Sequence, residues 1–283
     1  MVERGPKHSE RAHTVIGRGG FGNQLFQAAW ALALRSMGHS VRVDVGWYHQ
    51  PTGGEARSLE VDYAALGIPT VSLSRVQRSL ICHLPKRFVC TDDESSYLPR
   101  AGVRRKRFST TYAQNARIPS SLTQDQIERL TRVEWDNIGT EDSVAVHVRL
   151  GDYRTHTATR EHHGLTDPRW SLEQAARLRE EYNWPIIRVF TDEPEWLPRD
   201  VLDRAHMKVS PSPPNSRTLL HEMCLSRALV MSNSSLSWWA GFLLSRVDPS
   251  HPVVFPEPWN RRAGPQDHLL ALAEWHRARR VVI

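Results

Sequence analysis

The sequence predicts an α/β protein built from two Rossmann-like domains with parallel sheets that face each other. Three observations carry this. Strand-like and helix-like stretches alternate from about residue 141 onward, the pattern that lays helices on both faces of a parallel sheet. A strand candidate at 13–16 passes through a glycine-rich turn into helical periodicity, so a similar unit opens the chain. A length of 283 residues is also comfortable for two cores, each of roughly 140 residues.

Taken in order, residues 1–12 are polar and expected to be loose, 13–138 form a first domain and 139–283 a second. In the first domain the strand at 13–16 leads into Gly17-Arg18-Gly19-Gly20-Phe21-Gly22. Leu25, Phe26, Ala29, Leu32, Ala33 and Met37 then recur at helical spacing, with Gly38 placed to end that helix. Val41, Val43 and Val45 alternate as a second strand, and a helix is expected near 122–134. In the second domain the strand candidates are 143–148, 186–191, 207–210, 228–232 and 252–255. Helices are expected near 171–182, 216–226 and 234–245, the first opened by a capping box of Ser171 and Gln174.

Composition excludes some classes. Hydrophobic residues at 40% and charged residues at 24% are globular values, so disorder is not invoked. Lys and Arg number 37 against 31 Asp and Glu, a net charge of +6. That balance suits a phosphate-bearing ligand or an anionic membrane surface and demands neither. Cys82, Cys90 and Cys224 form no C-x-x-C pair, which fits a reduced compartment. No apolar run reaches the ~20 residues of a membrane span, and the opening MVERGPKHSERAH lacks the apolar core of a signal peptide. A cytoplasmic protein is the expectation. The ten tryptophans suit either core packing or sugar stacking.

Four motifs carry chemistry. Gly17-x-Gly19-x-x-Gly22 matches the dinucleotide fingerprint, and Asp44 stands where a ribose-binding acid belongs, so an NAD-dependent oxidoreductase is one reading. Asn23 and Gln24, which follow, could instead donate to a phosphate or sugar hydroxyl, or Asn23 could simply cap its helix. The second motif is His147-Val148-Arg149-Leu150-Gly151-Asp152-Tyr153, leaving a strand end. A guanidinium there suits bidentate phosphate binding, against the plainer role of a surface ion pair. The third is Phe190-Thr191-Asp192-Glu193, where Asp192 could accept from guanine or ribose, or cap a helix. The fourth is Asn233-Ser234-Ser235-Leu236-Ser237-Trp238-Trp239, a turn of small hydroxyl residues that could cradle phosphate or merely cap the next helix.

Together these resemble the α-1,2-fucosyltransferase family, glycosyltransferase family 11. Its G-G-x-G-N-Q-x-F-Q is similar to residues 19–27 and its H-x-R-R-G-D-Y to 147–153. Its F-S/T-D-x-x-x-W is similar to Phe190 through Trp196, its N-S-S/T-F-S-W-W to 233–239, and its late P-x-x-W to Pro256 and Trp259. The resemblance implies a GT-B-like fold, an acceptor-side first domain and a second domain that binds the GDP-sugar. It implies inverting, metal-independent transfer of L-fucose from GDP-β-L-fucose to a sugar hydroxyl, O2 of a galactoside. By resemblance Arg149 holds and stabilises the leaving diphosphate. His147 and Asp192 lie near ribose and guanine, Ser234 and Ser235 approach the phosphates, and Gly22 and Asn23 reach toward the leaving group or acceptor.

Two positions depart from the family: Leu150 replaces the second arginine, and Leu219 stands where an acid is common, with Glu222 out of register. Asp152 is the first candidate for general base and Glu161 the second. No metal or other cofactor is expected: there is no D-x-D, Asp92-Asp93-Glu94 follow no strand, and His156, His162 and His163 lack ligand spacing. A non-catalytic GDP-sugar or glycan-binding protein is the other alternative, kept open by Leu150. Nucleic acid is not expected as a partner, because Arg104-Arg105-Lys106-Arg107 and Arg277, Arg279 and Arg280 lack interleaved aromatics. The expected partners are GDP-fucose and a glycan acceptor. A further expectation is peripheral contact of the basic loops with an anionic membrane that carries a lipid-linked acceptor.

Overall fold

The structure, a computed structural model, describes residues 12–49, 57–85, 87–90, 107–211, 213 and 215–283. The segment expected to be loose (apart from Ala12), the acids at 92–94 and the basic residues 104–106 lie outside the described residues. The chain divides into two compact units, Met1–Leu130 and Thr131–Ile283.

The first unit runs β1 (His13–Ile16), α1 (Phe21–Ser36), β2 (Val41–Asp44), α2 (Gly46–His49), β3 (Thr70–Val71), α3 (Arg75–Cys82), β4 (Val89–Cys90), β5 (Phe108–Ser109), α4 (Arg117–Ser120) and α5 (Gln124–Thr131). Its sheet has the order β3-β2-β1-β5-β4, with every pair parallel. All four residues of β1 are buried, as expected of a central parallel strand covered on both faces. The α1 helix is buried along almost its whole length. Gly38 follows it at φ +86°, the left-handed conformation that ends helices cheaply at glycine.

The second unit runs β6 (Glu141–Val148), α6 (Gly151–Thr155), α7 (Thr157–His163), α8 (Pro168–Tyr182), β7 (Ile186–Thr191), α9 (Arg199–Arg204), β8 (Lys208–Val209), α10 (Ser216–Leu225), β9 (Ser226–Val230), α11 (Ser235–Val247), β10 (Val253–Glu257), α12 (Pro265–Leu270) and β11 (His276–Arg279). The order is β11-β10-β9-β6-β7-β8, again parallel throughout. Three strands run outward one way from β6 and three the other way from β9. The β6/β9 boundary is therefore the switch point, where ligands of doubly wound sheets bind beyond the strand ends. The α/β class and the pair of Rossmann-like, parallel-sheet units are as the sequence predicts.

Packing decides most of the tryptophans. Trp30, Trp170, Trp238, Trp239, Trp259 and Trp275 are buried. Trp238 stacks on Phe242 at 5.2 Å and meets Trp275 at 5.7 Å. Trp196 is the exposed one among those described. Two expectations need correction. The α8 helix opens at Pro168, capped by Asp167, which accepts from Arg169 N; Ser171 is buried inside it. Proline at the first helical position moves the start upstream of the supposed capping box. A sixth strand, β11, also closes the second sheet. Its alternating basic residues do not read as a strand because it lies at an exposed edge. Among the described residues no helix is long and apolar enough to cross a membrane.

The acid at the end of β2 has a structural task. Asp44 has no solvent exposure. Its Oδ1 accepts from Gly46 N at 3.0 Å and Leu73 N at 2.8 Å, and its Oδ2 lies 3.9 Å from Arg78 Nη1. A carboxylate so enclosed does not meet a ribose, which removes the acid on which the oxidoreductase reading rested. Asp44→Ala strands two backbone amides and is expected to destabilise the fold by about 2 kcal/mol or more. Asp44→Asn keeps the accepting oxygen and is expected to cost less. Urea denaturation of the two variants checks the order.

Candidate functional site

The site grows from the end of β6. Val146 pairs with Val230 of β9, and His147 and Val148 pair with Phe190 and Thr191 of β7. The segments that follow these three strands consequently leave the sheet at one edge. They are the motifs at 147–153, 190–193 and 233–239.

Arg149 is held between two carboxylates. Its Nη2 lies 2.6 Å from Asp152 Oδ1 and its Nη1 2.7 Å from Asp192 Oδ2. The other oxygen of Asp192 accepts from Leu150 N at 2.9 Å. Burial draws the Arg149 pKa down, but Asp192 and Asp152 outweigh it and the guanidinium stays charged. Gly151 makes the arrangement possible. A Cβ there would lie 2.5 Å from Asp192 Oδ2, so any side chain would push the carboxylate off the guanidinium. Asp192 thus clamps Arg149 and neither caps a helix nor offers two free oxygens to a base.

His147 is buried, and its Nδ1 lies 3.0 Å from Ser232 Oγ. Burial lowers its pKa to about 4, with Asp192 opposing and Arg149 reinforcing the shift. It is neutral near pH 7. His147, Arg149, Phe190, Thr191 and Asp192 form one wall of a cleft of about 310 Å³. Ser210, Pro211, Pro213, Asn215, Ser216 and Leu219 form the other. Those latter residues were not anticipated from sequence, except that Leu219 was noted as a departure; it turns an apolar side chain into the cleft.

Ser234 and Ser235 start α11 beside this cleft without lining it. Ser234 is the N-cap and accepts from Leu236 N at 3.3 Å, so capping is one of its tasks. The half-buried start of this 13-residue helix still presents amides and hydroxyls at the switch point.

Three further residues brace the site. Tyr153 Oη donates to Asn233 O at 2.9 Å, and the Tyr153 ring stacks on His163 at 5.1 Å. Asn233 Nδ2 donates to His163 O at 3.0 Å. Buried Arg280 donates to Thr166 Oγ1 at 2.7 Å, Pro258 O at 2.6 Å and His163 O at 2.5 Å. Burial lowers its pKa to about 10, still charged at neutral pH. Arg280 is therefore an internal strap, and His163 is part of a packed turn. Glu161 is exposed on α7. Among the described residues no three of His, Cys, Asp and Glu gather in a metal-holding group.

In the first unit, Gly22 is buried within α1 and Asn23 is half-buried on its first turn. Gly20 is the N-cap, so Asn23 does not cap this helix. Its Oδ1 accepts from Gln114 Nε2 at 2.8 Å. Gln24 and Gln27 brace the turn: Gln24 Oε1 accepts from Glu60 N at 2.8 Å and Gln27 Oε1 from Arg18 N at 3.1 Å. Gly19, at φ +84°, leaves room for Asn23, whose Nδ2 would lie 2.8 Å from a Cβ there.

Two outcomes follow from these environments. The unfolded chain takes up a proton at His147 near pH 6.5 and the folded chain only near 4. Acidification through that window therefore favours unfolding, by up to ~3 kcal/mol from this residue. His147→Asn is expected to flatten the loss of urea midpoint between pH 7 and pH 5. Leu150 is buried in the apolar core of the second unit, with Val148, Tyr153 and Leu172 in the same cluster. Leu150→Arg, which installs the second arginine of the motif that 147–153 resembles, would bury a charge and is expected to cost ~3 kcal/mol or more. Unfolding of the variant, together with titration of GDP, checks that stability falls and affinity does not rise.

Residues 116–248 match the family model described as Glycosyl transferase family 11. An alpha-1,2-colitosyltransferase of Escherichia coli is 28% identical over 130 residues. That match covers 45% of this chain and spans 44% of the relative's length. Among solved structures, POFUT1 in complex with GDP aligns with 87% of this chain and 99% of its own, at 12% identity and a TM-score of 0.46. The E. coli heptosyltransferase WaaC with ADP aligns with 95% and 93%, at 10% identity and a TM-score of 0.45. The residues that the family model matches, just under half of the chain, carry Arg149, Asp152, Asp192 and the serine turn at the switch point of the second sheet.

Proposed function

We propose that this protein is a glycosyltransferase that takes its sugar from a GDP-sugar. The sugar is L-fucose, moved with inversion from GDP-β-L-fucose to O2 of a galactoside without a metal. The observation that carries the reading is Arg149, fixed by Asp152 and Asp192 at the mouth of the cleft. The clamp occupies two directions of the guanidinium and leaves its other N–H groups for a diphosphate. Negative charge grows on that diphosphate as the sugar departs. A pre-set cation beside helix-start amides stabilises it, an effect worth ~3–4 kcal/mol per well-placed donor. That contribution needs no metal ion.

In this reading His147, Asp192, Ser234 and Ser235 shape the donor side, and Gly22 and Asn23 serve the leaving group or acceptor. Asp152 has two tasks to be separated, holding Arg149 and accepting the acceptor's proton. The acceptor is an oligosaccharide or other glycan. Colitose is the second reading for the donor sugar, favoured by the E. coli relative's activity; it is fucose without the 3-hydroxyl.

The test is turnover of GDP-fucose with galactose-terminated acceptors in EDTA. Wild type is expected to give α-1,2-fucosylated product, and Arg149→Ala to lose ~10²–10³-fold in rate. No product while GDP still binds counts against fucosyl transfer and directs the assay to an activated colitose donor. Failure to bind GDP removes the donor assignment. Asp152→Asn divides the two tasks: a ~10²–10⁴-fold loss of rate with GDP affinity kept marks the base, and joint loss marks the clamp.

A further inference from the structure

We propose that α3, with the basic residues that flank it, is a docking surface for an anionic lipid bilayer. The α3 helix turns one face inward, where Arg78 and Ile81 are buried. The opposite face carries Val76 at 69% exposure and Leu80 at 63%, and the turn continues to Leu84 at 37%. The three apolar residues recur every four positions, one per helical turn, along ~12 Å of surface. Exposed apolar residues in a row are unusual on a soluble surface, and a row framed by one sign of charge is the pattern of an interfacial helix.

The frame is positive. Residues 63–91 contain no Asp or Glu. Arg75 and His83 stand exposed beside the stripe, and Arg87 follows it. The topology adds a second basic segment. Strands β4 and β5 are parallel neighbours, so their lead-ins enter the sheet at the same edge, and Arg107 N donates to Phe88 O at 2.8 Å. Arg107, which is exposed, therefore lies close to Arg87 in the fold. Among the described residues of 63–107 the exposed basic side chains are Arg75, His83, Arg87 and Arg107, and no Asp or Glu accompanies them. Apolar side chains inserted at headgroup depth, with the guanidinium groups of Arg75, Arg87 and Arg107 at the phosphates, satisfy both halves of this surface. A neutral protein partner satisfies only the apolar half.

The experiment is flotation of the full chain with vesicles of phosphatidylcholine alone and of phosphatidylcholine containing phosphatidylglycerol. Wild type is expected to float with the anionic vesicles, and more weakly as salt is raised. The double variant Val76→Ser, Leu80→Ser is expected to lose at least ~tenfold in partitioning, and Arg75→Gln, Arg87→Gln to lose the preference for anionic vesicles. Thermal melting of each variant confirms that the fold is kept, since all four side chains are exposed. The proposal is overturned if wild type stays with the aqueous phase, if neutral vesicles bind equally well, or if the Val76, Leu80 variant floats unchanged. It is also overturned if wild type is a dimer on gel filtration that the same variant dissociates, which assigns the stripe to a second copy.

Discussion

The second unit is organised around one guanidinium between two carboxylates. The side chains of Arg149, Asp152 and Asp192 are all about three-quarters removed from solvent, where an unpartnered charge would be costly and a paired one is stiff. The pairing sets requirements on neighbouring positions. Gly151 must lack a Cβ so that Asp192 can approach. Leu150 must turn its amide to Asp192 and its side chain into the core. Tyr153 must reach Asn233 so that the helix bearing Asp152 stays seated. The heptapeptide 147–153 thus alternates between residues that face the cleft and residues that hold the others in place. In that division Leu150 belongs to the core side, away from the cleft that Arg149 lines.

The glycine-rich turn of the first unit shows the same economy with different chemistry. It resembles a phosphate-binding fingerprint, yet most of its polar groups are spent internally. Gln24 and Gln27 are fully buried and accept from backbone amides, and Asp44 closes the turn between β2 and α2. Buried polar groups held in this way fix a loop more sharply than apolar packing can, because each has few geometries in which it is satisfied. Asn23 differs in being half-buried on the helix's first turn.

This contrast shows where the sequence was legible. Strand and helix periodicity and the helix-ending role of Gly38 are local properties, and they were readable. So was the convergence of 147–153 and 190–193, because both follow strands in a parallel sheet. What could not be read depends on partners far away in the chain. Asp192 is 43 residues from Arg149 in number, and nothing near it announces that its oxygens are committed. Arg280 looks like part of a solvated basic tail, but it is buried and donates to carbonyls more than a hundred residues earlier. The far wall of the cleft, from Ser210 to Leu219, carries no motif because its contribution is shape.

Charge gives the last step. A net charge of +6 suits either a phosphate ligand or an anionic surface and demands neither. The cleft itself is not rich in positive charge. Its one arginine faces two aspartates, its histidine is neutral, and the position of a second motif arginine holds a buried leucine. A diphosphate that bound there would gain from directed N–H groups and helix-start amides more than from bulk positive charge. In the sequence the excess of basic residues falls between 63 and 107, outside the motifs at 147–153, 190–193 and 233–239. Local geometry and net charge can therefore answer different demands. The two demands scale differently: hydrogen-bond direction matters at ~3 Å, whereas summed charge acts over a Debye length of ~8 Å and needs an extended surface to act on.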